Sequence, residues 1–338
     1  MSVFLIVVFL LTIYKIEIKE SISEEAFDKE NSNGIKGIFL LLVFLSHVVG
    51  YYKFNSPIDL TYMVFRSFLG QCIVTIFLFF SGYGIMESIK KDNSYIDTLI
   101  SKRILKVLLN FDIAVTLFLL LRLALNHEVE LKQYLLSLVA WAGIGNSNWY
   151  IFCILFCYLF TYIAFKIFDK NYFKAISTVI ILSIVYMIIV KLFKPYWWYD
   201  TILVYSIGIM FSVFKEQIIL YFSNCKRYFV TLLLSIISLP IVHIYIHLSI
   251  GIRTFFEILF TIAIVLLIMH VNINNKFLCY LGKNLFGLYI LQRLPMLFFK
   301  DIGLFTDKYI FIIVCFITTL IINELFKKLL IKVDYLIE

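Results

Sequence analysis

Apolar runs long enough to cross a bilayer recur from one end of the chain to the other, broken by short polar segments. Their limits are roughly 2–18, 35–52, 67–87, 104–125, 147–166, 174–193, 198–215, 228–248, 253–271, 278–299 and 308–331. A stretch of about 20 apolar residues reads as a membrane-spanning helix. The pattern therefore predicts an all-α, polytopic bundle of about eleven spans. Between the first two runs lies a charged linker, 15–34, which holds six carboxylates and is the one stretch with a solvated or lipid-surface character of its own. It divides the chain into residues 1–34, a helix with its linker, and residues 35–338, one membrane domain. Neither an internal repeat nor a low-complexity tail is visible.

The basic residues between the runs predict an orientation. Alternate connections, beginning with 15–36, carry 20 of the 30 Lys and Arg residues, and the opposite set carries 10. Loops rich in Lys and Arg stay in the cytoplasm. Residue 1 is thus expected outside and residue 338 inside, with Trp197, Trp198 and Tyr199 as an outer interface belt. Composition narrows the class further. Only 15% of residues are charged and 62% are hydrophobic, whereas a soluble domain carries about a quarter charged residues. The net charge of +8 reads as lysines anchoring helix ends, with no nucleic-acid footprint. Residues 1–14 lack a basic start and a small-residue cleavage site, so they read as a retained helix. The six cysteines are scattered through apolar or helix-end sequence, and no metal site is expected from them.

Against this background His47 stands out, because the run Gly34–Gly50 is otherwise too apolar for an imidazole. An ionisable side chain inside a spanning segment marks a functional site or a partner within the bundle. Lys36 precedes it by eleven residues, about three turns, so both point to similar faces some 16 Å apart. One helix therefore carries a cation at its entrance and a base at depth. Asp112 is an acid within another apolar run. His243 and His247 share a helix face but lack a third ligand, and Arg253 with Glu257 reads as a structural i, i+4 salt link.

Five further segments carry a pattern: FLFFSGYGI at 77–85, RILKVLLN at 103–110, the Asn148–Trp149 helix start, the Tyr199–Gly208 region and LGKNLFGLYILQ at 281–292. With Lys36-x10-His47 and in this order, they resemble the acyltransferase-3 family of integral-membrane O-acyltransferases, especially its members that acetylate bacterial surface polysaccharides. The resemblance covers about 34–299. Lys36-x10-His47 is similar to the family's basic-x10-His signature, and FLFFSGYGI to its aromatic Ser-Gly element. Three departures exist: Gln292 stands near a common histidine, Asn284 replaces a common serine, and the first helix is additional to the family's ten spans.

The resemblance implies acyl transfer from cytoplasmic acetyl-CoA to a hydroxyl of a cell-surface polysaccharide or its lipid-linked precursor, in a bacterial plasma membrane. On that reading His47 takes the hydroxyl proton or carries the acyl group, and Ser81 orients the base or the thioester carbonyl. Lys36 and Arg103 hold the donor phosphates, Asn148, Trp149 and Asp200 contact the acceptor, and no metal is needed. A transporter or flippase of lipid-linked sugars is the alternative, although paired Gly/Pro-interrupted helices and a duplicated half are missing. A polysaccharide polymerase is disfavoured by the lack of a long outer loop.

Overall fold

Backbone groups in hydrocarbon have no water to bond, so the apolar runs satisfy themselves as helices. The computed structural model describes residues 1–22 and 24–337. Its long helices are α2 (Lys29–Val48), α4 (Cys72–Lys91), α5 (Lys106–Ala124), α7 (Trp149–Phe168), α8 (Tyr172–Lys191), α11 (Cys225–Ile244), α12 (Ile250–Ile268) and α16 (Lys308–Ile337). Among the described residues these eight are long and apolar enough to cross a membrane. A ninth crossing arises if Tyr196–Val213 and Lys215–Phe222, bent by 79° at Phe214, count as one broken span. They contain α9 (Leu203–Val213) and α10 (Lys215–Phe222).

Besides this bent pair, two more of the eleven predicted spans are not single long helices. The first, α1 (Ser2–Ile13), has 12 residues, or about 18 Å at the α-helical rise against a core of about 30 Å. The predicted 278–299 run is split into α13 (Lys276–Lys283), α14 (Leu285–Leu291) and α15 (Arg293–Asp301). At each break a side-chain amide donates to a nearby carbonyl, Asn284 to Tyr280 and Gln292 to Tyr289. Such local bonds compete with the helical ladder. Two short helices, α3 (Pro57–Leu69) and α6 (Leu131–Leu138), fill connections that the apolar runs left blank.

The linker is more ordered than its charge suggests. Its strand β1 (Ile16–Ile18) pairs antiparallel with β2 (Val271–Ile273). Asn31, buried at the start of α2, donates to Ala26 O and Val271 O and accepts from Ile273 N. Asp28 accepts from Asn31 N at 2.7 Å, an N-cap that starts α2 six residues before the predicted run. Asn93 bonds Asp169, and Lys166 pairs with Asp97. These links bring the connections carrying most of the basic residues to one end of the bundle, here termed the basic end. At the opposite end Asp59 of α3 receives Lys308 of α16 at 2.6 Å and the amine of Met1. Burial alone would raise the Asp59 carboxyl, but hydrogen bonds from Lys308, that amine and Ser56 hold it well below the usual carboxylate range.

Two reciprocal glycine contacts set the tightest helix crossings. A Cβ added at Gly82 on α4 would stand 2.1 Å from Tyr205 O on α9, and one at Gly208 would stand 2.1 Å from Phe79 O. Similarly, a Cβ at Gly37 on α2 would lie 2.1 Å from Leu278 O, and one at Gly282 on α13 would lie 1.9 Å from Asn33 O. Small residues let membrane helices approach backbone to backbone. The helices so fixed, α2 and α4, are those that carry Lys36, His47 and Ser81.

Candidate active site

α2, α4, α7 and α14, with the turn preceding α5, surround a cavity of about 610 Å³. Lys29, exposed at the start of α2, lines one part of it, so the cavity opens toward the basic end. Lys36 follows two turns deeper, with its ammonium 5.7 Å from the centre of the Phe80 ring. Arg103 reaches in from Ile100–Leu105, a turn of wider π-helical winding before α5, an irregularity frequent at functional sites. Its Nε donates to Tyr95 OH at 2.7 Å. Three cations and no carboxylate line this space among the described residues. The electrostatics therefore favour an anion at the mouth.

Beyond the cations the walls turn apolar and aromatic, with Phe77, Ile151, Ile154 and Phe286. Ser81 shares a 2.8 Å hydrogen bond with Tyr158 OH midway along. Tyr150 and Tyr289, with ring centres 5.3 Å apart, stand at the inner end. His47 lies just past them, its ring centre 6.3 Å from that of Tyr289. Among the described residues its buried Nδ1 has no hydrogen-bond partner, and neither has Tyr289 OH. A buried polar atom without a partner costs about 1–3 kcal/mol, so native structures rarely leave one unless a ligand or water meets it.

On the far side of His47 a second polar group gathers. Arg293 donates to Tyr51 OH at 3.2 Å and to Asn146 O at 3.4 Å. Asn146 Nδ2, Ser147 Oγ and Gln292 Oε1 are buried there without partners among the described residues. His47 thus separates a cationic cavity entered from the basic end from an unsatisfied polar cluster nearer the opposite end.

The structure brings Lys36, Ser81 and Arg103 to one cavity and sets His47 behind its inner wall. Asn148, Trp149 and Asp200 are not among the lining residues. Asn148 Nδ2 donates to Ala140 O and Ala142 O, folding the turn before α7, while Trp149 packs edge-on against Tyr150. Asp200 sits fully buried beside Glu257 in a separate cleft of about 100 Å³, with His243, His247 and Arg253. Arg253 lies 3.6 Å from the centre of the Tyr196 ring. The i, i+4 spacing of Arg253 and Glu257 gave no sign of the Asp200–Glu257 pairing, since Asp200 comes from a different helix start. Tyr289, Tyr150, Tyr158 and Arg293 were not singled out as site residues from sequence. Tyr289 and Arg293 lie in or next to the LGKNLFGLYILQ motif, a signal that pointed their way.

Residues 29–323 match the acyltransferase-3 family, described as an acyltransferase domain. No curated protein and no solved structure gives a match.

Proposed function

We propose, since the chain belongs to the acyltransferase-3 family of membrane acyltransferases, that it moves an acetyl group from cytoplasmic acetyl-CoA to a hydroxyl of a cell-surface polysaccharide or its lipid-linked precursor. The observation that carries this reading is the cavity itself, cationic at its open end and closed inward by the Tyr289 that packs on His47. Lys29, Lys36 and Arg103 meet the phosphates of the donor through charge. The thioester arm follows the apolar wall past Ser81, whose hydroxyl faces the carbonyl. The acceptor enters from the other side, where Arg293, Asn146 and Gln292 offer unmet hydrogen-bonding capacity. Displacement of the Tyr289 ring then joins the two halves.

In the transfer step the acceptor oxygen attacks the thioester carbonyl as His47 removes its proton. A C–O bond forms, the C–S bond breaks, and the proton ends on the departing CoA sulfur. A neutral imidazole at depth suits that task. The reading differs from a transporter in its products, because only a transferase releases free CoA from acetyl-CoA when acceptor is supplied. Thiol release by the purified protein in lipid, matched to acetylated glycan by mass spectrometry, tests it directly.

Two expectations follow from the placement of charge. Lys36→Gln and Arg103→Gln should each raise the KM for acetyl-CoA about tenfold or more, the scale of a lost charge-assisted contact, with a smaller change in kcat. A contact to a phosphate remote from the reacting carbon supports ground and transition states alike. An unchanged KM with a collapsed kcat in Lys36→Gln would instead assign the lysine to the chemistry. The basic end should also face the cytoplasm, so reporter fusions at 30, 95, 170 and 222 should all report that side. Finding 95 and 170 on opposite sides would overturn both the orientation and the donor mouth.

A further inference from the structure

Away from the cavity, α7 and α8 enclose an apolar groove of about 320 Å³. Phe152, Phe156 and Phe160 form one wall, and Tyr186, Ile189 and Phe193 belong to the other. Their rings interlock, with Phe152 and Phe156 centres 4.8 Å apart and Phe156 and Tyr186 centres 5.3 Å apart. Tyr186 OH is occupied by Trp198 O at 2.9 Å, so no polar group of this ring is left to face the groove. Ile189 is 51% and Phe193 66% exposed, so the groove opens to the surroundings of the bundle. Protein interiors are packed to the density of organic crystals. A long apolar trough flanked by two spanning helices is a space that a hydrocarbon chain fills.

The opposite end of this groove is charged. Lys194 follows α8 and lies between two indoles, 4.0 Å from the Trp141 ring centre and 4.4 Å from that of Trp198. Its ammonium donates to Trp141 O at 2.7 Å, which leaves further N–H groups for a ligand. Lys191 is exposed one turn earlier. Trp141 also lines the groove and packs on Phe152 at 5.3 Å. Cation, aromatic belt and apolar trough therefore follow one another along the membrane normal, in the order of headgroup, interface and chain.

We infer that this groove is a binding site for a membrane lipid with an anionic phosphate headgroup, its chain lying along Phe152, Phe156 and Ile189 and its phosphate at Lys194. The inference concerns a surface separate from the catalytic cavity and does not rest on the proposed acyl transfer. The loop that holds Trp141 runs on to Asn146, whose carbonyl accepts from Arg293.

The test uses the full chain in phosphatidylcholine vesicles doped with a photoactivatable phosphatidylglycerol, compared with the same chain-labelled phosphatidylcholine. Cross-links should map to 152–160 and 182–193, and the anionic probe should label these peptides roughly fivefold more strongly, the gain expected from one nearby basic residue. Ile189→Trp should fill the groove and remove this labelling, while Ile181→Trp, on an exposed part of α8 outside the groove, should not. Lys194→Gln should erase the preference for the anionic probe, and Lys194→Arg should keep it, which separates a headgroup contact from mere loss of a local strut. Equal labelling by both probes, or labelling indifferent to Ile189→Trp, would overturn the site. None of these readouts depends on acetyl transfer, so its absence leaves them standing.

Discussion

His47→Ala is expected to abolish acyl transfer while the protein still inserts and accumulates normally. Removing a general base costs about 10²- to 10⁴-fold in rate, and removing an acyl carrier costs all of it. Little folding energy should be lost, since Nδ1 makes no hydrogen bond among the described residues and the ring is half-buried. The loss should fall on kcat, with the KM for acetyl-CoA nearly unchanged, because the imidazole lies beyond the cavity lined by Lys36 and Arg103, where the donor is proposed to bind. Incubating the wild type with labelled acetyl-CoA and no acceptor distinguishes the two roles: label retained on the protein identifies a carrier. Wild-type glycan acetylation in His47→Ala would remove His47 from the chemistry altogether.

The second large effect is structural. Gly82→Ala should lower the Tm of the detergent-solubilised protein by several degrees, and so should Gly208→Ala. Each new methyl would meet a backbone carbonyl at 2.1 Å, and a carbonyl in a helix cannot rotate away as a side chain can. Overpacking of this kind typically costs about 1–3 kcal/mol. The double variant should cost less than the sum of the two, because both glycines relieve the same approach of α4 to α9, and separation forced by one accommodates the other. Gly84→Ala is the control, as nothing lies within 4 Å of its added Cβ. Equal Tm values for Gly82→Ala and Gly84→Ala would refute the close crossing. Activity should fall in Gly82→Ala beyond the stability loss, since the adjacent Ser81 lines the cavity.

The positions of the helices were legible from the apolar runs, because spanning a bilayer demands length and hydrophobicity whatever the neighbours are. His47 and Lys36 stood out for the same reason inverted, as polar groups of an apolar run that share a face by their spacing, whereas Ser81 and Arg103 were singled out only through the family resemblance. The direction of each helix's inner face was not legible. In a soluble protein a polar face marks the outside, but lipid is as apolar as the core, so a run such as α5 gives no sign of which residues point inward. Closed at one end by Tyr150 and Tyr289, the cavity depends on those faces, as does the meeting of Asp200 with Glu257.

The breaks within 276–301 and the ordering of the linker were also beyond the pattern. Asn284 and Gln292 interrupt a run whose apolar content reads as continuous, and Asn31 binds, besides the nearby Ala26 carbonyl, a carbonyl and an amide of the distant β2. By itself, the sequence determined a multi-span helical membrane protein of the acyltransferase-3 type, with a base and a cation on one helix. Only the tertiary structure decided what lies between them, since the aromatic wall and the polar cluster around His47 are assembled from helices far apart in the chain. Their shared environment is made by packing, and no local period encodes it.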